Sequence, residues 1–214
     1  MKYWFFSILT AVIAYGAGSL STMVIASNLI FRTNLRRLGR GSLWLSNFLR
    51  VYGVKGFLKL GLVELLKDAL PVMIGGWFFS SGGNADVGRA LAAFCLVLGR
   101  MYPSIYGFRG SYATAAVCIG AMFVSFPVGA MVLLICTLIT WATRYIALGT
   151  LAGGIALAIG GVLVMENALA VRLFLFIGAL VLIRTAGAIS RITAGKEERL
   201  NFKRDISYKF DEKI

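Results

Sequence analysis

The stretch GFRGSYATA, residues 107 to 115, carries the residue types of an anion-binding turn. Glycines let a backbone approach an anion closely and aim its N–H groups at it. A helix starting at Ser111 adds its positive end, which favours a phosphate. Two basic side chains, Arg100 ahead of the stretch and Arg109 within it, are of the type that grips phosphate oxygens with paired hydrogen bonds.

Groups able to move a proton are scarce. The chain has no histidine, which excludes the Ser-His-Asp arrangement, histidine-ligated zinc and a histidine general base. Cys95, Cys118 and Cys136 all fall inside apolar runs at unrelated spacing, and read as small core residues, not as metal ligands or a disulfide frame. Only Glu64, Asp68, Asp86 and Glu166 lie outside the acid-containing C-terminal tail. Glu64 and Asp68 stand four apart on one helix face, with Lys67 between them, so an internal ion pair is the simplest reading and a functional carboxylate the alternative.

The elements that must position these groups are apolar. With 59% apolar residues and a mean hydropathy of +0.83, the 214-residue chain is an integral membrane protein by composition. Residues 4 to 31 carry no charge, 28 in a row. A membrane-spanning helix needs about 20. A secretory signal has an apolar core of only about 7 to 15 residues, so this run reads as a retained first helix. Further apolar runs lie near 57 to 80, 88 to 106, 111 to 143, 145 to 165 and 168 to 190. The run at 111 to 143 is 33 residues long and is interrupted by Phe126-Pro127-Val128-Gly129, which predicts two short helices. The expected fold is therefore all-α with about seven spans.

Charge placement orients them. Residues 32 to 59 hold Arg32, Arg36, Arg37, Arg40, Arg50, Lys55 and Lys59 with no acid, the pattern of a cytoplasmic loop. Threading seven spans from that loop puts Arg100, Arg109, Arg144 and the tail from Arg191 on the same side, with the N-terminus outside and the C-terminus in the cytoplasm. The net charge of +13 fits topology signals and contact with anionic headgroups. Nucleic-acid binding is not expected, because the tail is short and no recognisable module is present. The organisation read from the chain is a membrane domain over 1–193 and a charged cytoplasmic tail over 194–214.

The order of pieces carries a resemblance. AYGAGSLST, GRGSLWLSNFLRVYGVKG, VELLKDALPV, LGRMYPSIYGFRGSYATA, TRYIALGTLAGG and RTAGAISRITAGKEERL resemble, collinearly from about residue 14 to about residue 200, the PlsY family of bacterial acyl-phosphate:glycerol-3-phosphate acyltransferases. The resemblance implies a seven-helix membrane enzyme with a site built from cytoplasmic loops, moving an acyl group from acyl phosphate to glycerol 3-phosphate. It implies no cofactor and no metal.

Carried over residue by residue, the match is incomplete. The family pattern G-S-G-N-x-G-A-T-N-x-x-R falls on Gly39 to Arg50, where Gly39, Gly41, Asn47 and Arg50 match while Arg40, Ser42 and Trp44 depart. The pattern G-H-x-x-P-x-x-x-x-F-x-G-G-K-G-V-A-T keeps Gly99, Pro103, Phe108, Gly110, Ala113 and Thr114. Arg100 stands at the histidine, the chain is two residues short at the glycine-lysine turn, and the lysine is gone. The pattern R-H-x-x-N-I-x-R keeps Arg184, Ile189 and Arg191, with Thr185 at the histidine and Ala188 at the asparagine.

These losses remove a charge that would neutralise phosphate and polar groups that would orient an acceptor hydroxyl. The expectation is a PlsY-like membrane protein of phospholipid-related metabolism with a degenerate catalytic centre, in the bacterial cytoplasmic membrane. It would bind a lipid phosphate or acyl phosphate, or serve as a membrane subunit for a partner protein or a second copy of itself. The alternative is an active acyltransferase using glycerol 3-phosphate or a related acceptor; a transporter is a third class, without visible gating features. No catalytic residue is assigned. Phosphate or lipid binding is expected from Arg40, Ser42, Asn47, Arg50, Lys55, Arg100, Arg109, Gly110, Ser111 and Thr114.

Overall fold

A computed structural model describes residues 2–32, 45–108, 110–197 and 199–200. Its regular structure is helical throughout: α1 Lys2–Ser19, α2 Thr22–Leu29, α3 Leu45–Ser80, α4 Ala85–Met101, α5 Thr114–Val124, α6 Phe126–Thr143, α7 Ile146–Val164 and α8 Ala168–Thr193, with a 3-10 turn at Ser104–Tyr106 between α4 and α5. In lipid every backbone N–H and C=O must be satisfied within the protein, which is why apolar runs of this length become helices. Among the described residues, α6, α7 and α8 are each long and apolar enough to cross a membrane, and α1 with α2 meets the same test as a broken pair.

The chain divides into two compact units. One holds residues 1–20 and 65–197, the other residues 21–64 and 198–214. In the larger unit α4 packs against α1, α5 and α8, and α7 packs against α5, α6 and α8. Its core is made of small and branched side chains, among them Ala93, Leu96, Val97, Ala116, Val117, Leu157, Phe174 and Val181. Small residues let helix backbones approach closely where no hydrophobic drive between helices exists. Gly99 illustrates this: a Cβ there would collide with the Tyr15 carbonyl of α1. In the smaller unit Ala26, Phe48, Val51 and Leu60 form a separate cluster with Phe31 and Tyr52, whose rings stack 4.0 Å apart.

Several boundaries differ from those read in the sequence: α5 starts at Thr114, not at Ser111, and α4 runs from Ala85 to Met101, not over 88 to 106. The charge-free run from Trp4 to Phe31 is not one helix: α1 ends at Ser19, Ser21 is extended, and α2 starts at Thr22. The Lys67 ammonium donates to the Ala17 carbonyl at 3.0 Å, taking up one of the acceptors that the end of α1 leaves open. Helix α3 begins at Leu45, well ahead of the apolar run at 57, because Phe48, Val51 and Leu60 supply a buried face to a segment that is basic on average. Gly53, with φ 67°, interrupts it. The expected break in the 111–143 run is present, at Ser125, and Pro127 occupies the first turn of α6, where its missing N–H costs nothing. Helix α4 stops at Met101, two residues before Pro103.

Candidate functional site

The loop between α4 and α5 is held in place at many points. Tyr15 of α1 donates from its hydroxyl to the Tyr102 carbonyl at 2.8 Å. The 3-10 turn closes with the Phe108 N–H on the Pro103 carbonyl at 2.9 Å, and Gly107 and Phe108 both adopt left-handed φ of 60°. The Ser111 N–H then returns to the Arg100 carbonyl at 3.2 Å. Gly110 sits so tightly on the backbone of Arg100 and Met101 that any side chain there would collide with their carbonyl oxygens. Ala113, left-handed with φ 60°, sets the start of α5. The Ser111 hydroxyl accepts from the Ala113 N–H at 3.3 Å.

Helix α8 grips this loop with two arginines. Arg184 donates to the Gly110 carbonyl at 2.6 Å and lies over the Tyr102 ring, 5.5 Å from its centroid. Two turns further on, Arg191 donates to the Tyr112 hydroxyl at 2.9 Å and, through Nε, to Glu197 Oε2 at 2.8 Å. The Tyr112 hydroxyl donates in turn to Glu197 Oε1 at 2.5 Å. Burial, and then the hydrogen bond to the Glu197 carboxylate, push the Tyr112 phenol above its ordinary value; the Arg191 guanidinium works against them. The Tyr112 ring is buried with Ala147 and Ala188. Thr185 is 1% exposed, and its hydroxyl bonds back to the Val181 carbonyl at 2.7 Å. Thr114 shares a short hydrogen bond with Thr150 in which Thr114 is the donor, because the Thr150 hydroxyl already donates to Ile146 at 2.9 Å.

Asp68 lies at a separate place in the same unit. It is fully buried and pairs with its neighbour Lys67 and with Arg100, whose Nη2 is 3.3 Å from Oδ2. The internal ion pair expected around Asp68 is therefore present, with α4 supplying a second cation.

The expected binding residues are distributed as follows. Arg100, Gly110, Ser111 and Thr114 belong to the larger unit and are joined through the loop backbone, but the Arg100 guanidinium faces Asp68. Asn47, buried, and Lys55, exposed, belong to the smaller unit. Arg40, Ser42 and Arg109 lie outside the described residues, as does the side chain of Arg50. Tyr112, Thr150, Arg184, Arg191 and Glu197 were not among the residues expected to bind. Arg184 and Arg191 match the family pattern and so were within reach of sequence reasoning; Tyr112 and Glu197 carried no signal of their own.

The helical bundle and the glycine loop clamped by a C-terminal helix place the protein among integral membrane proteins of the PlsY fold. The family model for glycerol-3-phosphate acyltransferase matches residues 8–195, and the chain belongs to that family. A glycerol-3-phosphate acyltransferase of Finegoldia magna is 29% identical over 202 residues, covering 94% of this chain and 98% of the relative. One of Syntrophotalea carbinolica is 30% identical over 188 residues, covering 87% and 93%. Crystal structures of PlsY, described as an integral membrane glycerol 3-phosphate acyltransferase, are similar in fold: the glycerol 3-phosphate form has a TM-score of 0.72 at 22% identity, covering 91% of this chain and 96% of that one. The lysophosphatidic acid form has a TM-score of 0.74 at 21% identity, covering 92% and 96%.

Proposed function

We propose that this chain is a multi-pass protein of the bacterial cytoplasmic membrane that keeps the PlsY frame but no longer transfers acyl groups. Its seven spans would run α1 with α2, then α3 to α8, with the N-terminus outside and the C-terminus in the cytoplasm. It holds a phosphate-bearing lipid, acyl phosphate or glycerol phosphate near the α4–α5 loop, alone or as the membrane subunit of a partner.

The observation that carries this reading is the state of Thr185 and Ala188. Both are 1% exposed. Thr185 donates to its own helix, and Ala188, buried in one cluster with Tyr112 and Ala147, has no polar group, so neither orients a hydroxyl nor takes its proton. Loss of one such contact costs about 10²-fold or more in rate, and several losses together leave little of the original catalysis. The second reading, an active acyltransferase, is favoured by the names of the relatives and by the two ligand forms of PlsY.

Expression in a bacterial strain lacking its own glycerol-3-phosphate acyltransferase separates the two. The pseudoenzyme reading expects no growth at an expression level where an ordinary family member restores it. Growth equal to that control favours the acyltransferase.

A further inference from the structure

Arg184 and Arg191 stand seven residues apart on α8, two turns along one face, and both reach the Gly110–Tyr112 segment. Arginine presents a planar fork of donors that fits either a carboxylate or a phosphate monoester. Here the Arg191 fork is filled from within the chain: Nε binds Glu197 Oε2 at 2.8 Å and Nη2 binds the Tyr112 hydroxyl at 2.9 Å. The Glu197 carboxylate also accepts from that hydroxyl, which closes a ring of three side chains. Arg191 is 47% exposed while Glu197 is 9% exposed, so the cation is open to a ligand arriving from outside the protein. The Tyr112 ring is buried in one apolar cluster with Ala147 and Ala188. The start of α5, two residues after Tyr112, adds a partial positive charge that favours a dianion over a monoanion.

We propose that Glu197 and Tyr112 form an internal stopper on a phosphate-monoester site centred on Arg191 and Arg184. The ligand enters by taking the Arg191 fork from Glu197, and the Tyr112 side chain then swings off Ala188. The half-exposed Arg191 is suited to this exchange, because water already competes for its side of the pair. The proposal rests on the reading that the chain holds a phosphate-bearing ligand, and adds how access to that ligand is regulated.

The test uses the full chain in detergent and in lipid nanodiscs. Inorganic phosphate is titrated calorimetrically in one arm, and lysophosphatidate is supplied in phosphatidylcholine nanodiscs in the other. Glu197→Gln is expected to bind at least one probe roughly tenfold more tightly than the unaltered protein, the worth of one charge-assisted contact. Adding Arg191→Gln should abolish that gain. A gain for both probes identifies the phosphate group itself as the ligand, and a gain for lysophosphatidate alone identifies the lipid headgroup. Tyr112→Phe, which keeps the ring and removes the hydroxyl bound to Arg191, should shift affinity in the same direction as Glu197→Gln. Equal or weaker affinity of Glu197→Gln for both probes overturns the stopper. If Glu197→Gln gains affinity for neither probe while the unaltered protein binds at least one, the stopper alone falls; if neither protein binds either probe, the phosphate-holding reading falls with it.

Discussion

Arg100 Nη2 lies 3.3 Å from Asp68 Oδ2, and the side chain of Asp68 is wholly buried. The pair joins α3 to the end of α4, where the Arg100 carbonyl also receives the Ser111 N–H of the glycine loop. An arginine that an anion would otherwise attract is thereby committed to an internal carboxylate. Removing one partner of a buried pair leaves an uncompensated charge, so Asp68→Ala should lower stability by about 3 to 5 kcal/mol. Lys67 and Arg100 would then repel each other where Asp68 now lies between them. Thermal unfolding in detergent should show Asp68→Ala as the costlier change, and Asp68→Ala combined with Arg100→Met as less costly than the two single changes added together.

Tyr112 gives a pH dependence of known sign. Its phenol is raised above the ordinary value of 10.0, first by burial and then by the hydrogen bond to Glu197, while Arg191 opposes the rise. The neutral hydroxyl is therefore the form that the fold favours. Its stabilising contribution is complete below pH 10.0 and is lost as pH rises through the folded value. Melting temperatures of the unaltered protein and Tyr112→Phe should differ by a constant amount up to about pH 9 and converge above about pH 10. A gap that widens with alkalinity would mean that the phenolate, not the phenol, is the favoured form.

Topology is open to direct labelling. Cys95, Cys118 and Cys136 are buried, so an introduced cysteine gives a clean signal against them. Ser42→Cys should react with a membrane-impermeant maleimide only after the membrane is opened. Labelling from the outside of intact cells would reverse the proposed orientation.

Much of the helical frame was legible because lipid forces one solution on an apolar run: residues 111 to 143 had to break near Pro127, and they break at Ser125. The start of α3 was not legible, since Ser46, Asn47, Arg50 and Lys55 interrupt its apolar residues and only the packing of Phe48 and Val51 with Phe31 reveals a buried face. Nor was the break after Ser19, where the Ala17 carbonyl is met by the Lys67 side chain from another helix. Contacts between distant residues were hidden for the same reason. Cys118 and Cys136, at unrelated spacing, belong to one buried cluster, and Tyr112 meets Glu197 across 85 residues. The glycine loop itself was recognised from its residue types, but what fills it comes from α8.

Loss of acyl transfer is tested by assaying the purified protein in nanodiscs, beside an ordinary family member, for formation of lysophosphatidate from acyl phosphate and glycerol 3-phosphate. Thr185→His belongs in the same assay, because a single restored side chain would still meet the buried Ala188 position and the shortened loop. No product above background is expected from either the unaltered protein or Thr185→His, a loss of at least about 10²-fold relative to the control. Turnover by the unaltered protein at a rate comparable with the control would contradict that loss.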